Sequence, residues 1–270
     1  MLELIRFTSG SHAEEFMAGR LYMNSLGFFW NNGFEGQRDM FEGVAQMQDP
    51  RDSLFSEEYQ NALCASIMIR AEAFQFCNLL CFHRHFYDPL RGCGTEIDPR
   101  IGEFGDCAVR ITDPDAFINR VYAKAEQQGD ICVSGPVAYH AWDEVVSEAD
   151  CFDKLDFYSY QKEWRIAYLH KPERLKALAG KRRNNGVSTE YYEEPYVLHI
   201  GRLDDIAATV SAKEIIEHTH SVYGTCYSNM EMLSRRSLQS AFSGWRGRPE
   251  FRSKVLSLDG GALSPILIVG

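Results

Sequence analysis

Three polar side chains at alternate positions of one short segment are the first candidates for chemistry. The segment YSYQKEWRIAYL, residues 158–169, carries an amide at Gln161, a carboxylate at Glu163 and a guanidinium at Arg165. Alternate side chains of a β-strand lie on one face, so these groups would point together toward a cleft or toward water. On spacing alone, the preferred interpretation is a solvated edge strand with a Glu163–Arg165 pair of little energetic consequence.

A second group of chemistry-bearing side chains recurs along the segment CNLLCFHRH, at Cys77, Cys81, His83 and His85. Cysteine and histidine are zinc ligands, and every second position of a strand shares a face. Along one extended strand, however, this spacing spreads the four groups too far apart for a single tetrahedral site. We therefore expect no bound metal.

Two basic segments could bind a partner molecule. The segment RRSLQSAFSGWRGRPEFRSK, residues 235–254, gathers six arginine and lysine residues with Phe and Trp between them, and KPERLKALAGKRR covers residues 171–183. Such segments can form a local nucleic-acid surface or dock an acidic partner. They can equally be solvated surface.

The elements that must position these groups alternate irregularly along the chain. Hydrophobic periodicity and turn residues predict strands at residues 2–9, 20–26, 75–86, 106–112, 131–141, 191–201 and 264–270. Helices are predicted at residues 11–19, 56–74, 114–129 and 211–224, the third capped by Asp113 or Asp115. In the segment 158–169, Trp164 and Ile166 are assigned to the core. The aromatic- and glycine-rich segment 27–43 is predicted to be an ordered loop that can wall a pocket.

Composition bounds the class of protein. The 270 residues, 45% of them hydrophobic, are enough for a full core, and we predict a single α+β domain over residues 1–270. A net charge of -10 argues against a surface that binds nucleic acid through charge alone. No segment has the apolar run of a signal peptide or a membrane span, so we expect a cytoplasmic protein without a membrane partner. The spacing of the eight cysteines does not indicate a disulfide framework, so we expect them to be reduced thiols.

Short motifs spread over most of the chain resemble a known family. The segment FYSYQKEWRI resembles the E-x-E-W-R strand of a bacterial family described as a domain of unknown function, which is similar to the ADP-ribosyltransferase fold. The likeness extends to LIRFTS, FMAGRLYMNSLGFF, FEG, LLCF and YVLHIGRLDDI. The resemblance implies an ADP-ribosyltransferase-like fold with mixed, mainly antiparallel sheets and flanking helices.

The resemblance also implies roles for individual residues around the segment. Glu163 would be the catalytic carboxylate, which stabilises the positive charge that builds on a ribose as its glycosidic bond breaks. Gln161 stands where the family more often has Glu, and in related transferases the residue two positions before the catalytic Glu contacts the acceptor. A neutral amide favours a nucleobase or amide acceptor over arginine. Tyr158 and Tyr160 could stack on an acceptor ring, although half-buried loop aromatics are as good an interpretation.

The co-substrate implied by the resemblance is NAD, with no metal. The family places a basic residue on the first strand, so Arg6 would hold NAD through its pyrophosphate or a ribose–phosphate edge, with the Thr8 hydroxyl beside it. Tyr22, Asn24 and Phe29 would complete the NAD-binding surface, though aromatic clusters usually belong to the core. The resemblance also makes His83 or His85 a candidate for lining the cleft.

The leading hypothesis is therefore an NAD-dependent mono-ADP-ribosyltransferase, similar to toxins of toxin–antitoxin or phage-defence systems. Its acceptor would be nucleic acid, with RNA favoured, or else a protein, and a neutralising antitoxin protein would be a partner. One alternative is an NAD glycohydrolase, in which water replaces the acceptor. The other is a non-catalytic binding or sensor module on the same scaffold.

Overall fold

The computed structural model describes most of the chain, with gaps. The described residues are 1–31, 39, 41–48, 67–88, 90, 93–141, 143–146, 149–171, 173–174, 192–221 and 264–267. The α-helices are α1 (Gly10–Met17), α2 (Leu26–Asn31), α3 (Pro114–Gln128) and α4 (Ala212–Ser221). Short 3-10 helices span Glu72–Phe76, Pro99–Phe104 and Asp156–Gln161.

The strands pair almost entirely in the antiparallel sense, which confirms the predicted α+β class. They are β1 (Leu2–Thr8), β2 (Arg20–Ser25), β3 (Val44–Gln48), β4 (Ile67–Arg70), β5 (Asn78–Asp88), β6 (Cys93–Gly94), β7 (Cys107–Ile111), β8 (Ile131–Pro136), β9 (Ala138–His140), β10 (Asp153–Leu155), β11 (Glu163–Leu169), β12 (Tyr196–His199), β13 (Ala207–Ser211) and β14 (Ser264–Leu267). The main sheet runs β12-β2-β5-β1-β7-β13, and β11 lies between β5 and β8. A small sheet joins β14, β4 and β3, and β9 pairs with β10 in parallel.

The long central strand β5 organises the main sheet. Along one edge it pairs with β11, from Glu163 opposite His83 to Tyr168 opposite Asn78. Along its other edge it pairs with β1 from residue 83 onward and with β2 at residues 78 and 79. Neither β1 nor β2 pairs with residues 80–82, so the sheet is split at that point. Arg6 crosses this gap, because its Nη1 donates to the Cys81 carbonyl at 3.0 Å.

Apolar side chains cover both faces of the sheet around β11. Trp164 and Ile166 point to one face, as predicted, and pack in a cluster with Phe16 of α1 and with Phe117 of α3. Helix α3 begins after Asp113, whose carboxylate accepts from the Ala116 amide at 2.9 Å, which confirms one of the two proposed caps. Ala167 and Leu169 alternate to the opposite face, where they join a second cluster containing Leu26, Trp30, Phe74 and Phe152.

The strand predicted over residues 158–169 is shorter in the structure and begins later. Residues 158–161 belong to a 3-10 helix, Lys162 is left-handed with φ 44°, and β11 begins only at Glu163. Gln161 therefore does not share a strand face with Glu163 by alternation. The solvated edge strand is also wrong, since β11 is paired on both edges and every residue of it is buried.

A second correction concerns the helix predicted at residues 56–74. Within the described part of that range, Ile67–Arg70 forms β4 and Glu72–Phe76 forms a 3-10 helix. The run IMIR pairs on one side with β3 and on the other with β14, so strand pairing overrides the local helical composition. Residues 56–66 lie outside the described residues.

Candidate functional site

A cavity of about 450 Å³ opens at the split in the main sheet. Its walls come from β1, the start of α1, β2, α2, β5, the 3-10 helix Pro99–Phe104 and the start of β11. A volume of this size is in the usual range for small-molecule sites. The cavity therefore has the dimensions and the position of a candidate binding site.

Seven of the nine residues proposed from the sequence line this cavity: Arg6, Thr8, Tyr22, Asn24, Phe29, Gln161 and Glu163. They lie in four separate stretches of the chain, which the fold brings together around the cavity. Tyr158 and Tyr160 do not line the cavity but contact residues that do. The Lys154 ammonium lies 4.6 Å from the centre of the Tyr158 ring, and Tyr160 accepts a hydrogen bond from the Gln161 amide at 3.2 Å.

Glu163 is held at the first position of β11 by contacts to both carboxylate oxygens. Lys154 Nζ lies 2.7 Å from Oε1, and Arg165 Nε lies 2.6 Å from Oε2. Its backbone amide donates to the Tyr139 hydroxyl at 2.9 Å. Burial favours the neutral acid, but the Arg165 and Lys154 cations outweigh that effect and lower the pKa of Glu163 to about 2. The carboxylate is therefore a fixed negative charge on the cavity wall.

The two cations are themselves buried and shared between carboxylates. Lys154 Nζ also lies 3.1 Å from Glu42 Oε1, and Arg165 donates to the same oxygen. Burial alone lowers the pKa of Lys154, but Glu163 and Glu42 more than offset it, so the pKa of Lys154 is raised. Two cations thus balance two carboxylates in one buried network, in which each cation contacts both carboxylates.

Asp39 adds a third carboxyl group beside this network. It is 1% exposed, and its Oδ2 lies 3.9 Å from Lys154 Nζ. Burial raises the pKa of Asp39 to about 7, opposed by Lys154 and assisted by the nearby Glu42 carboxylate. Asp39 is therefore the group of the network that changes charge near neutral pH.

Gln161 enters the cavity from the 3-10 helix rather than from the strand. Its Oε1 accepts from Lys154 Nζ at 2.8 Å, and its Nε2 donates to Tyr160 Oη. Because an ammonium group can only donate, this contact fixes which end of the amide is the acceptor. Lys154 therefore orients Gln161 and Glu163 together.

Arg6 is the cation of the cavity that has no carboxylate partner among the described residues. Its one hydrogen bond there goes to the Cys81 carbonyl, and burial lowers its pKa. A guanidinium carries five N–H donors, so most of its hydrogen-bonding capacity is available to a ligand. Thr8 lies two residues further along the same strand and also lines the cavity.

Sequence reasoning gave no role to Lys154, Glu42 or Asp39. Lys154 lies in the short strand β10, and no local pattern marks a lysine that will be buried. The segment 27–43 contains FEG twice, at residues 34–36 and 41–43, and Glu42 lies in the second copy, so the resemblance did not single it out. Their importance comes from contacts between residues that lie far apart in the chain.

The two histidines of β5 have separate hydrogen-bond partners. His83 Nδ1 lies 2.8 Å from the Gln161 carbonyl, and His85 Nδ1 lies 3.2 Å from the Glu3 carboxylate. Across the described ranges, no three His, Cys, Asp or Glu side chains are placed to hold one metal ion.

The basic segments proposed as partner surfaces cannot be placed. Residues 235–254 lie outside the described residues, as do 172 and 175–183 of the other segment. In the part of the chain that the structure describes, no helix is both long and apolar enough to cross a membrane.

Comparison of the chain with models of protein families, with curated proteins and with solved structures finds no match. We therefore infer the function from the residues of the cavity and their contacts.

Proposed function

We propose that this cavity binds NAD and that the chain is an NAD-dependent mono-ADP-ribosyltransferase. One observation carries the proposal. The Glu163 carboxylate, anchored at both oxygens and with a lowered pKa, lines the same cavity as the incompletely bonded Arg6, although the two residues lie far apart in sequence. The carboxylate suits a developing sugar cation, and the guanidinium suits a pyrophosphate. Phe29 and Tyr22 add apolar surface for a planar ring.

The state of Glu163 restricts the chemistry that it can perform. With its pKa lowered to about 2, the carboxylate holds no proton to donate near neutral pH. Contacts of both oxygens with Lys154 and Arg165 also make it a weak nucleophile and a weak base. Its role is therefore electrostatic: it stabilises positive charge on the ribose and accepts a hydrogen bond from a ribose hydroxyl.

The proposed reaction is a substitution at the anomeric carbon of the nicotinamide ribose. The bond between that carbon and the nicotinamide nitrogen breaks, and nicotinamide leaves with the electron pair. The acceptor forms the new bond to the same carbon and releases a proton to solvent. Gln161, held by Lys154, lies beside Glu163 and would orient the acceptor. RNA is the first choice of acceptor and protein the second, and a neutralising antitoxin protein would bind the enzyme.

The test is incubation with NAD labelled in its ADP-ribose part, together with cellular RNA, DNA or protein. We expect label on a macromolecule and release of nicotinamide, with Glu163→Gln slower by at least about 100-fold. Free labelled ADP-ribose alone would identify an NAD glycohydrolase instead. Absence of any nicotinamide release by the wild-type protein would refute the proposal and favour a non-catalytic module.

A matched variant separates lost chemistry from lost folding. Glu3 is another buried carboxylate of the main sheet, bonded to Arg110 at 2.8 and 2.6 Å, and it does not line the cavity. Glu3→Gln therefore disturbs a buried ion pair of the same kind without touching the site. We expect Glu3→Gln to keep its activity at temperatures where it is folded, whereas Glu163→Gln loses activity even when folded.

A further inference from the structure

His83 occupies the position on β5 directly across from Glu163. The two residues are register partners in the antiparallel pair, so their side chains lie on the same face of the sheet. Directly opposed residues have Cβ atoms about 4.5–5.5 Å apart. His83 is 4% exposed and lines the cavity, like Glu163. A ligand group that contacts the Glu163 carboxylate is therefore within reach of the His83 ring.

The tautomer of His83 follows from its one hydrogen bond. Nδ1 lies 2.8 Å from the Gln161 carbonyl oxygen, which can only accept, so Nδ1 carries the proton. In the neutral ring Nε2 is then a bare acceptor. Burial lowers the pKa of His83 to about 3, despite the carbonyl, so the ring stays neutral. Among the described residues, Nε2 is buried and has no hydrogen-bond partner.

A buried acceptor without a partner is costly, and a ligand donor would remove that cost. We propose that His83 Nε2 accepts a hydrogen bond from one of the two vicinal hydroxyls of a ribose, while Glu163 accepts from the other. The spacing favours a sugar, because neighbouring hydroxyls can span two acceptors on opposed strand positions. This inference rests on the proposed function, since the ribose is that of the NAD nicotinamide nucleoside.

His83 also anchors the turn that carries Gln161, so the test must separate binding from folding. Asparagine can place an amide N–H where Nδ1 stands, but it has no counterpart of Nε2. Glutamine can reach the position of Nε2, but it loses the bond to the Gln161 carbonyl. His83→Asn should therefore keep the fold and lose the ligand contact. His83→Gln should be less stable and keep more of the affinity.

The experiment measures calorimetric binding of a carbocyclic NAD analogue, which resists cleavage and retains both hydroxyls, alongside its two monodeoxy counterparts. His83→Asn is expected to bind the diol about tenfold more weakly than wild type, which corresponds to about 1.4 kcal/mol. One monodeoxy analogue should lose no further affinity in this variant, although it is weakened in wild type. Nitrogen NMR should show His83 with the proton on Nδ1 and no titration between about pH 5.5 and 8, as a pKa near 3 requires.

Several outcomes would overturn the inference. One such outcome is that His83→Asn binds the diol with the same affinity as wild type. Another is that removing either hydroxyl weakens binding to His83→Asn as much as it weakens binding to wild type. A proton on Nε2 in the NMR spectrum would also contradict it. If wild type fails to bind the diol at all, the proposed function fails with it, which distinguishes that result from failure of the His83 contact alone.

Discussion

The buried pair of Glu163 and Lys154 gives the sharpest test of the structure. The two residues lie 2.7 Å apart, with side chains 9% and 3% exposed. Glu163→Gln and Lys154→Met keep nearly the same volume but each removes one charge. Each single change leaves a buried charge with too few partners, whereas the double change leaves the contact between Arg165 and Glu42 balanced.

The magnitude can be worked from the pKa of Glu163. The difference between its ordinary value of 4.5 and the value of about 2 corresponds to about 3 kcal/mol of folding free energy. Because the folded pKa is lowered, this contribution is present above about pH 4.5 and is lost as pH falls toward about 2. Breaking a buried pair from one side typically costs about 3–5 kcal/mol. Each single variant should lose stability in that range at pH 7.

The assay is urea unfolding at pH 7 of wild type, the two single variants and the double variant. We expect the double variant to lose at least about 2 kcal/mol less than the sum of the single losses, because its charges remain balanced. Additivity within about 0.5 kcal/mol would show that the two side chains do not share one buried contact. That result would refute both the buried network and the anchoring of the Glu163 carboxylate by Lys154.

Three further predictions follow from single residues. Asp39 has a raised pKa of about 7, so the wild type loses stability as pH rises from about 4 to about 7, whereas Asp39→Asn does not. Between pH 5 and 8 the difference in unfolding free energy should move in favour of the variant by about 3 kcal/mol, and an unchanged difference in urea midpoints would contradict this. Gly105 has φ 155°, and a Cβ there would lie 2.2 Å from the Thr8 backbone. Gly105→Ala should therefore displace the cavity wall and weaken NAD binding, measured by calorimetry, by at least about tenfold. Unchanged affinity would refute the close packing of Gly105 against Thr8. Expression of the wild type should slow bacterial growth, whereas Glu163→Gln at the same protein level should not; equal growth inhibition by both would argue against toxicity through Glu163.

Local patterns in the sequence were enough for several elements. Strand alternation correctly assigned Trp164 and Ile166 to the core, because opposite faces of a strand are set by a period of two. The Asp113 cap and the periodicity of the following residues predicted α3, since both signals lie within one stretch of chain. The cavity-lining positions of Arg6, Thr8 and Glu163 agree with the placement that the family resemblance implied, while their roles stay predictions.

Other features depend on contacts that no short segment encodes. The run at Ile67–Arg70 lies in a segment whose composition predicted a helix, but it forms a strand because β3 and β14 pair with it. Gln161 does not lie on the expected strand face, because it belongs to a 3-10 helix that ends at the left-handed Lys162, just before β11.

The tertiary structure alone decided the electrostatics of the site. Asp39, Glu42, Lys154, Glu163 and Arg165 meet in one buried network although they are spread over 127 positions of the chain (165 − 39 + 1). In the sequence, the family resemblance singled out Glu163 as the carboxylate of interest. The fold places the Arg165 and Lys154 cations against its two oxygens, and these cations keep it ionised although burial opposes ionisation, because a carboxylate takes its pKa from the solvent and the charges around it.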